Sequence, residues 1–324
     1  MYTTAVEHDL QLRARIVMNH PALYDPIRRR QAQTVLAQTH FPAPSGAPRV
    51  SVIVPTCNRP EMLREALASI LRQTLRDFEI IVVNDGGPDV EPVLRSFNPE
   101  QRITCLRHPR PKGPSAARNT GLRFARGQFI AYLDDDDIFY PHHLETLVNF
   151  AESGKHPVVY SDACCATQAK KNGRYIVTDR HVRFSSDFDP DWLLVQNHLP
   201  ILCVLHERRC LETAGAFDET LITHEDWDLW IRMSRHHPFV HLKEVTCEFR
   251  LRADGSSATS SKRADFLKTL RLIYRRYQAY TAGKTDVVLA QSAALLDLAR
   301  SIQGDSETPH FCSGGLRPPT CVRQ

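Results

Sequence analysis

VSVIVPTCNRPEMLREALASILRQTLRDFEIIVVND, residues 50–85, decides the fold of this chain. Two short runs, VSVIV (50–54) and FEIIVV (78–83), are apolar and β-branched, as strands buried on both faces should be. Between them Leu63, Leu67, Ile70 and Leu71 fall at i, i+4, i+7 and i+8, one apolar stripe on a helix. Pro60 suits the first turn of that helix, where a missing N–H costs nothing. Strand, helix and strand of this length make a β-α-β unit and a parallel pair.

The pattern continues outward. ITCL (103–106) is a third strand, followed by a polar loop and the helical stretch PSAARNTGLRFARG. QFIAYL (128–133) is a fourth, and it runs straight into Asp134, Asp135, Asp136 and Asp137; Pro141 opens the next helix. PVVYSDA (157–163) and ILCVLH (201–206) read as further strands. EDWDLWIRMS (225–234) reads as a helix with Trp227, Trp230 and Ile231 on one side. Residues 262–302 read as two helices around Gly283. The expected architecture is α/β, a mainly parallel central sheet flanked by helices, with helical N- and C-terminal extensions.

Four segments follow: a helical extension with a Pro-rich linker, FPAPSGAP, over 1–48; the α/β domain over 49–255; a helical region over 256–303; and a disordered tail over 304–324. Arg28, Arg29 and Arg30 in the first segment read as a solvated helix face.

Composition narrows the function classes. The 324 residues carry 41 Lys+Arg against 37 Asp+Glu, a net charge of +4. That balance argues against a nucleic-acid binder, whose affinity needs a concentrated basic surface. No apolar run approaches the ~20 residues of a membrane span. The opening MYTTAVEHDL has no basic start and no greasy stretch, so a secretory signal is not expected and a cytoplasmic location is. Nine cysteines without any CxxC read as reduced, mostly buried thiols rather than a zinc or disulfide framework. His142–His143 and His236–His237 read as helix-surface residues.

In an open parallel sheet, ligands sit beyond the carboxyl ends of the strands. That rule selects Pro55, Thr56, Asn58 and Arg59 after the first strand, Asp85 after the second, and Asp134 to Asp137 after the fourth. Four adjacent like charges repel and call for a cation or strong donors. In extended chain Asp134 and Asp136 face the same way, so both can address one ligand. The bland alternative is an acidic turn capping the helix near Pro141. Neither GxxxxGK[ST] nor GxGxxG occurs, which argues against a P-loop nucleotidase or a dinucleotide oxidoreductase.

VSVIVPTCNRP, FEIIVVNDGG, GPSAARNTGL, GQFIAYLDDDD and EDWDLWIRM, in this order, resemble the family 2 glycosyltransferases of GT-A fold over about residues 49–255. The resemblance implies transfer of a sugar from a nucleoside diphosphate donor, most often UDP, with inversion at the anomeric carbon. It implies Mn²⁺ or Mg²⁺ as cofactor, and a carbohydrate, lipid-linked or protein acceptor reached at the inner membrane face when it is lipid-linked.

By the same resemblance, Pro55, Thr56 and Arg59 belong to the first donor loop, and Asp85 accepts a hydrogen bond from the uracil ring. Arg118 and Asn119 line the donor site. Asp136 is the metal ligand, while Asp134 or Asp135 approaches the ribose or sugar; four identical residues leave the register open. A late mobile loop in the family commonly offers a histidine to metal or phosphate. The matching stretch here, CEFRLRADGSS, offers Arg250 or Arg252 instead. Asp226 in the ED pair matches the general base, with Glu225 as the alternative. Two rivals stand beside this reading: a nucleotide-sugar-binding module without catalysis, and a nucleotidyltransferase or sugar-nucleotide hydrolase on a similar sheet.

Overall fold

The computed structural model describes residues 46–97, 102–257 and 263–303. The expected N-terminal helical extension with Arg28 to Arg30, most of the Pro-rich linker and the expected tail lie outside these residues. The β-α repeat is present as expected: β1 (Val50–Thr56), α1 (Pro60–Leu71), β2 (Phe78–Asp85), α2 (Glu91–Arg95), β3 (Ile103–His108), α3 (Pro114–Phe124) and β4 (Phe129–Tyr132). β1 pairs in parallel with β2 and β4, and β2 with β3. Every residue of β1, β2 and β4 is buried, which is why their sequences show no polar alternation.

Two glycines are forced by geometry. A Cβ on Gly121 of α3 would meet Ile53 Cγ2 at 2.6 Å, so the glycine lets this helix press onto β1. Gly86 has φ +71°, and a Cβ there would lie 2.4 Å from the backbone of Arg110 and Pro111.

The second half is mixed. It comprises β5 (Ile138–Phe139), α4 (His143–Gly154), β6 (Val158–Lys171), β7 (Arg174–Phe184), β8 (Val204–Glu207), α5 (Cys210–Ala214), α6 (Glu225–Met233) and β9 (Phe239–Arg252). The sheet runs β3-β2-β1-β4-β8-β6-β9-β5, with β7 on β6. β8 lies antiparallel to β4 and β6, while β6 and β9 are parallel.

Several local expectations need correction here. The strand at 157–163 continues to Lys171 and turns back through Asn172 and Gly173, both at positive φ, into β7. That Asn-Gly pair is the two-residue hairpin signal, and the β-favouring run Tyr175–Thr178 follows it in β7. In ILCVLH, the first three residues form a 3₁₀ turn and the strand begins at Val204. His143 is buried rather than on the surface, with Nδ1 2.7 Å from Thr246 Oγ1.

The C-terminal helices α7 (Arg263–Arg276) and α8 (Thr285–Gln303) join the main core through Leu270, Ile273, Tyr274, Tyr277, Val287, Leu295 and Leu298. Five free cysteines are buried, namely Cys164, Cys165, Cys203, Cys210 and Cys247; Cys57 is partly buried and Cys105 exposed. Among the described residues, no helix is long and apolar enough to cross a membrane.

Candidate active site

Four acidic side chains follow β4, and the fold gives each a different partner. The chain does not stay extended there: Asp137 N donates to Asp134 O at 3.1 Å, closing a turn. The expectation of two carboxylates aligned along an extended segment is corrected accordingly. Alternation survives only in exposure, with Asp135 and Asp137 buried and Asp134 and Asp136 partly open.

Asp134 Oδ1 accepts from Arg118 Nη2 at 2.6 Å. Asp135 accepts from Thr56 Oγ1 at 2.7 Å and from Arg59 Nη1 at 3.0 Å. Asp136 Oδ2 accepts from Arg59 Nη1 at 2.8 Å and Arg252 Nη1 at 2.7 Å. Asp137 Oδ1 accepts the backbone N–H of Arg250 at 2.8 Å. Burial pushes Asp135 up to about 7, against the pull of Arg59 and with help from the charge of Asp136. Burial also raises Asp137, with Asp136 and Asp134 adding to the effect. Repulsion within the run thus raises the proton affinity of its buried members, and the arginines oppose it.

Pro55, Thr56 and Arg59, read from the sequence as a donor loop, lie at and just beyond the end of β1. Pro55 and Thr56 end β1 in register with Val83 and Asn84 of β2. Asn58 takes a left-handed φ of 60°, turning the chain so that Arg59 reaches back to the acidic turn. Thr56 and Arg59 touch Asp135 directly, which ties the ends of β1 and β4 together.

Asp85 is buried and already engaged. Oδ1 lies 2.7 Å from His108 Nδ1 and accepts Lys112 N at 2.8 Å; Oδ2 accepts Gly113 N at 2.8 Å. His108 Nε2 lies 2.9 Å from Thr120 Oγ1, so the chain of contacts runs from β2 through β3 to α3. A carboxylate has about four acceptor sites, so one on Oδ2 takes no hydrogen bond among the described residues. Asp85→Ala is expected to lower the melting temperature, because the buried N–H groups of Lys112 and Gly113 lose their acceptor at about 1–3 kcal/mol. It should also weaken UDP about tenfold or more in calorimetry. A lower melting temperature with unchanged UDP affinity would make Asp85 purely a loop anchor.

Arg118 and Asn119 sit side by side on α3 but do different things. The Arg118 side chain is 4% exposed and bridges two carboxylates, Glu225 Oε1 through Nη1 and Asp134 Oδ1 through Nη2, both at 2.6 Å. These anions outweigh desolvation and hold the guanidinium charged. Asn119 faces the other way. It donates to Phe217 O and Glu219 Oε1, each at 2.9 Å, and accepts Phe217 N at 3.0 Å. The structure thus makes Asn119 a brace for the 217–219 turn and does not bring it to the acidic cluster.

CEFRLR is corrected from a mobile loop to the last third of β9, where it pairs with β6 from Ala163 to Gln168. Two positions apart on the strand, Arg250 and Arg252 leave from the same face, and their partners are what separate them. Arg252 points at Asp136, with Nε on Ser256 Oγ at 2.9 Å. Arg250 spends its guanidinium on Glu248 at 3.0 Å and Glu65 at 2.6 Å. Only the backbone of Arg250 reaches the acidic turn.

α6 carries the remaining pair. Its first residue follows His224, which holds a left-handed φ of 58° and packs 5.4 Å from the Trp227 ring. Glu225 is buried on Arg118. Asp226 is partly buried; Oδ1 accepts Trp227 N at 2.7 Å and Oδ2 accepts Asn197 Nδ2 at 2.9 Å. The helix N-terminus leads one to expect a carboxylate held as the anion. Burial wins instead and, with the neighbouring charge of Glu225, pushes Asp226 up to about 7; Arg118 and the two hydrogen bonds oppose this without reversing it. A carboxylate titrating there is a stronger proton acceptor than an ordinary one. The tryptophan stripe does fix the helix, with Trp227 Nε1 on Leu193 O at 2.6 Å and Trp230 Nε1 on Leu199 O at 3.1 Å.

Sequence reasoning missed His108 and Asn197. Each contacts an acidic residue more than twenty positions away. Nothing local marks them.

An acidic turn at the end of β4 and the Glu225–Asp226 pair of α6 thus meet through Arg118. The fold is that of GT-A-type glycosyltransferases. Structures of Staphylococcus aureus TarS 1–349 in complex with UDP-GlcNAc superpose with a TM-score of 0.55 at 20% identity, over 78% of this chain and 73% of that one. The mannosyltransferase PcManGT from Pyrobaculum calidifontis, in complex with GDP-Man and Mn²⁺, gives 0.52 at 17% identity over 95% and 88%. The profile of "Glycosyl transferase family 2" matches residues 51–201. An uncharacterized glycosyltransferase of Bacillus subtilis (strain 168), YwdF, is 33% identical over 229 residues, 68% of this chain and 82% of that protein. One from Rickettsia bellii (strain RML369-C) is 28% identical over 210 residues, 64% of this chain but only 30% of its own length. The chain belongs to glycosyltransferase family 2.

Proposed function

We propose that the protein transfers a sugar from a nucleoside diphosphate donor, with UDP as nucleotide, to an acceptor hydroxyl with inversion at the anomeric carbon. The observation that carries this reading is the double grip of Arg118. One guanidinium joins Asp134 of the acidic turn to Glu225 beside Asp226, which supports a reading with the diphosphate at the first and the base at the second. Acceptors of the carbohydrate, lipid-linked or protein type fit the same chemistry.

The residues fit a cation that is completed by the donor. Both arginines address Asp136 Oδ2, and Oδ1 takes no hydrogen bond among the described residues. Hard carboxylate oxygen suits Mn²⁺ or Mg²⁺, which often share a site between one or two carboxylates and phosphate oxygens. Among the described residues, no three His, Cys, Asp or Glu side chains converge on one point, so Asp136 and the diphosphate would hold the ion together. When bound it supplies Lewis-acid stabilisation of the leaving diphosphate.

The chain's own residues do the rest. Arg59 and Arg252 lie within reach of the charge that builds on the leaving group. Thr56, Asp85 and the loop after β2 hold the nucleotide. Asp226 takes the acceptor proton as the acceptor oxygen bonds to the anomeric carbon and the bond to the diphosphate breaks. In-line placement on opposite faces of that carbon accounts for inversion.

A panel of UDP-, GDP- and dTDP-sugars, scored for Mn²⁺- or Mg²⁺-dependent nucleotide release with candidate acceptors, tests the reading. Asp136→Asn is expected to abolish metal-dependent release and weaken donor binding in the presence of metal. Wild-type metal dependence in that variant would move the ligand within the acidic run or remove it. Donor binding without any turnover across the panel would favour the binding-module reading.

A further inference from the structure

Asn197 lies in the irregular stretch between the 3₁₀ turns Trp192–Leu194 and Ile201–Cys203. Its side chain has one orientation consistent with its neighbours. Oδ1 accepts Leu199 N at 3.1 Å, which leaves Nδ2 to donate to Asp226 Oδ2 at 2.9 Å.

The backbone on both sides is pinned by side-chain donors from three helices. Trp227 Nε1 donates to Leu193 O at 2.6 Å, Gln291 Nε2 to Leu194 O at 2.7 Å, Tyr274 O–H to Val195 O at 2.6 Å and Trp230 Nε1 to Leu199 O at 3.1 Å. All four donors are on buried residues. Two belong to α6, which also carries Asp226; Tyr274 comes from α7 and Gln291 from α8. The stretch cannot slide without breaking several buried hydrogen bonds. Its one polar side chain turned toward the catalytic pair rests on Asp226.

We infer that Asn197 is a positioning residue for sugar transfer: its amide fixes the Asp226 carboxylate in place and favours its charged, proton-accepting form. The inference rests on Asp226 as the base. It also gives the C-terminal helices a part in the reaction, since they hold the backbone that presents Asn197. The charged groups facing Asp226 are Glu225 on its own helix and Arg118 from α3. Both are held by their mutual ion pair, so Asn197 is the neutral contact whose removal changes least else.

The test uses aspartate ¹³C-carboxyl NMR on the full chain, with the Asp226 signal assigned by its loss in Asp226→Asn. Wild-type Asp226 should titrate near 7. Asn197→Ala removes the donor, and Asn197→Asp keeps the shape while replacing it with an acceptor and a like charge. Both should move the Asp226 midpoint upward, by about one pH unit or more, since a hydrogen bond to a charged group is of that order. On the donor identified by the panel, kcat at pH 7 should fall about fivefold or more and recover toward pH 9, with KM for the donor unchanged. An unmoved Asp226 midpoint in folded variants overturns the inference, as does loss of the fold in both, which would assign Asn197 to structure. Normal turnover by Asp226→Asn sinks the base reading. A dead Asp226→Asn beside unmoved titration in the Asn197 variants sinks only the role of Asn197.

Discussion

Asp226→Asn is expected to lower kcat by ~10²–10⁴-fold, the usual worth of general-base assistance, while donor affinity stays near wild type. The substitution keeps the shape of the side chain, and its amide oxygen still accepts the N–H of Trp227. What it loses is the ability to take a proton, together with the hydrogen bond from Asn197 Nδ2, which its own amide N–H₂ cannot accept.

The pH profile adds a second signature. Asp226 is pushed up to about 7, so the base is protonated and idle below that pH. Wild-type kcat should therefore rise through about pH 7, and the rising limb should vanish in the variant. Stability carries the opposite sign. A carboxyl raised above its unfolded value stabilises the fold at low pH, and that contribution is lost as pH climbs through about 7. Asp226→Asn removes this pH-dependent loss at the cost of the Asn197 hydrogen bond, so its melting temperature should fall less than that of wild type between pH 5 and pH 8. A variant with normal kcat, or one that unfolds at pH 8, returns Asp226 to a structural role.

Arg118→Met should give the largest stability loss. The guanidinium is buried between Asp134 and Glu225, with its plane 5.6 Å from the Phe217 ring centroid. Removing one partner of a buried ion pair leaves the others uncompensated, at a cost of ~3–5 kcal/mol. For a domain of this size each kcal/mol shifts the melting temperature by roughly 2–4 °C, so a drop on the order of 10 °C is expected. Arg118→Lys keeps the charge but offers a point donor in place of a fork, so it should hold only one carboxylate well and fall between. Activity should be lost in both, because the joint between the acidic turn and α6 is lost. A melting temperature within about 2 °C of wild type for Arg118→Met would show that Asp134 and Glu225 find water instead.

How far the site could be read in advance depends on the range of each interaction. Asp134 to Asp137 and Asp85 were visible because strand ends are visible: a buried run stops, and polar residues begin. Arg118 was visible only as part of a motif, and its buried double ion pair was not, since Glu225 lies 107 positions away. Asn119, its neighbour, looked equivalent in sequence and faces a different turn. The two arginines of CEFRLR looked interchangeable, and as residues two apart on β9 they even share a face; the carboxylates within reach of each tell them apart. One then meets Asp136 and the other meets Glu248.

The sequence by itself determined the alternation of buried strands and helices, the parallel order of the first four strands and the acidic end of the fourth. These follow from period and composition over a few residues, where local sterics and burial leave little choice. Tertiary structure alone decided which cation meets which carboxylate, that Asn197 and His108 touch the acidic residues, and that Asp226 titrates near 7 rather than as an ordinary aspartate. Proton affinity and ion pairing depend on what is within a few ångströms in space, and folding brings those neighbours from between 23 and 116 residues away.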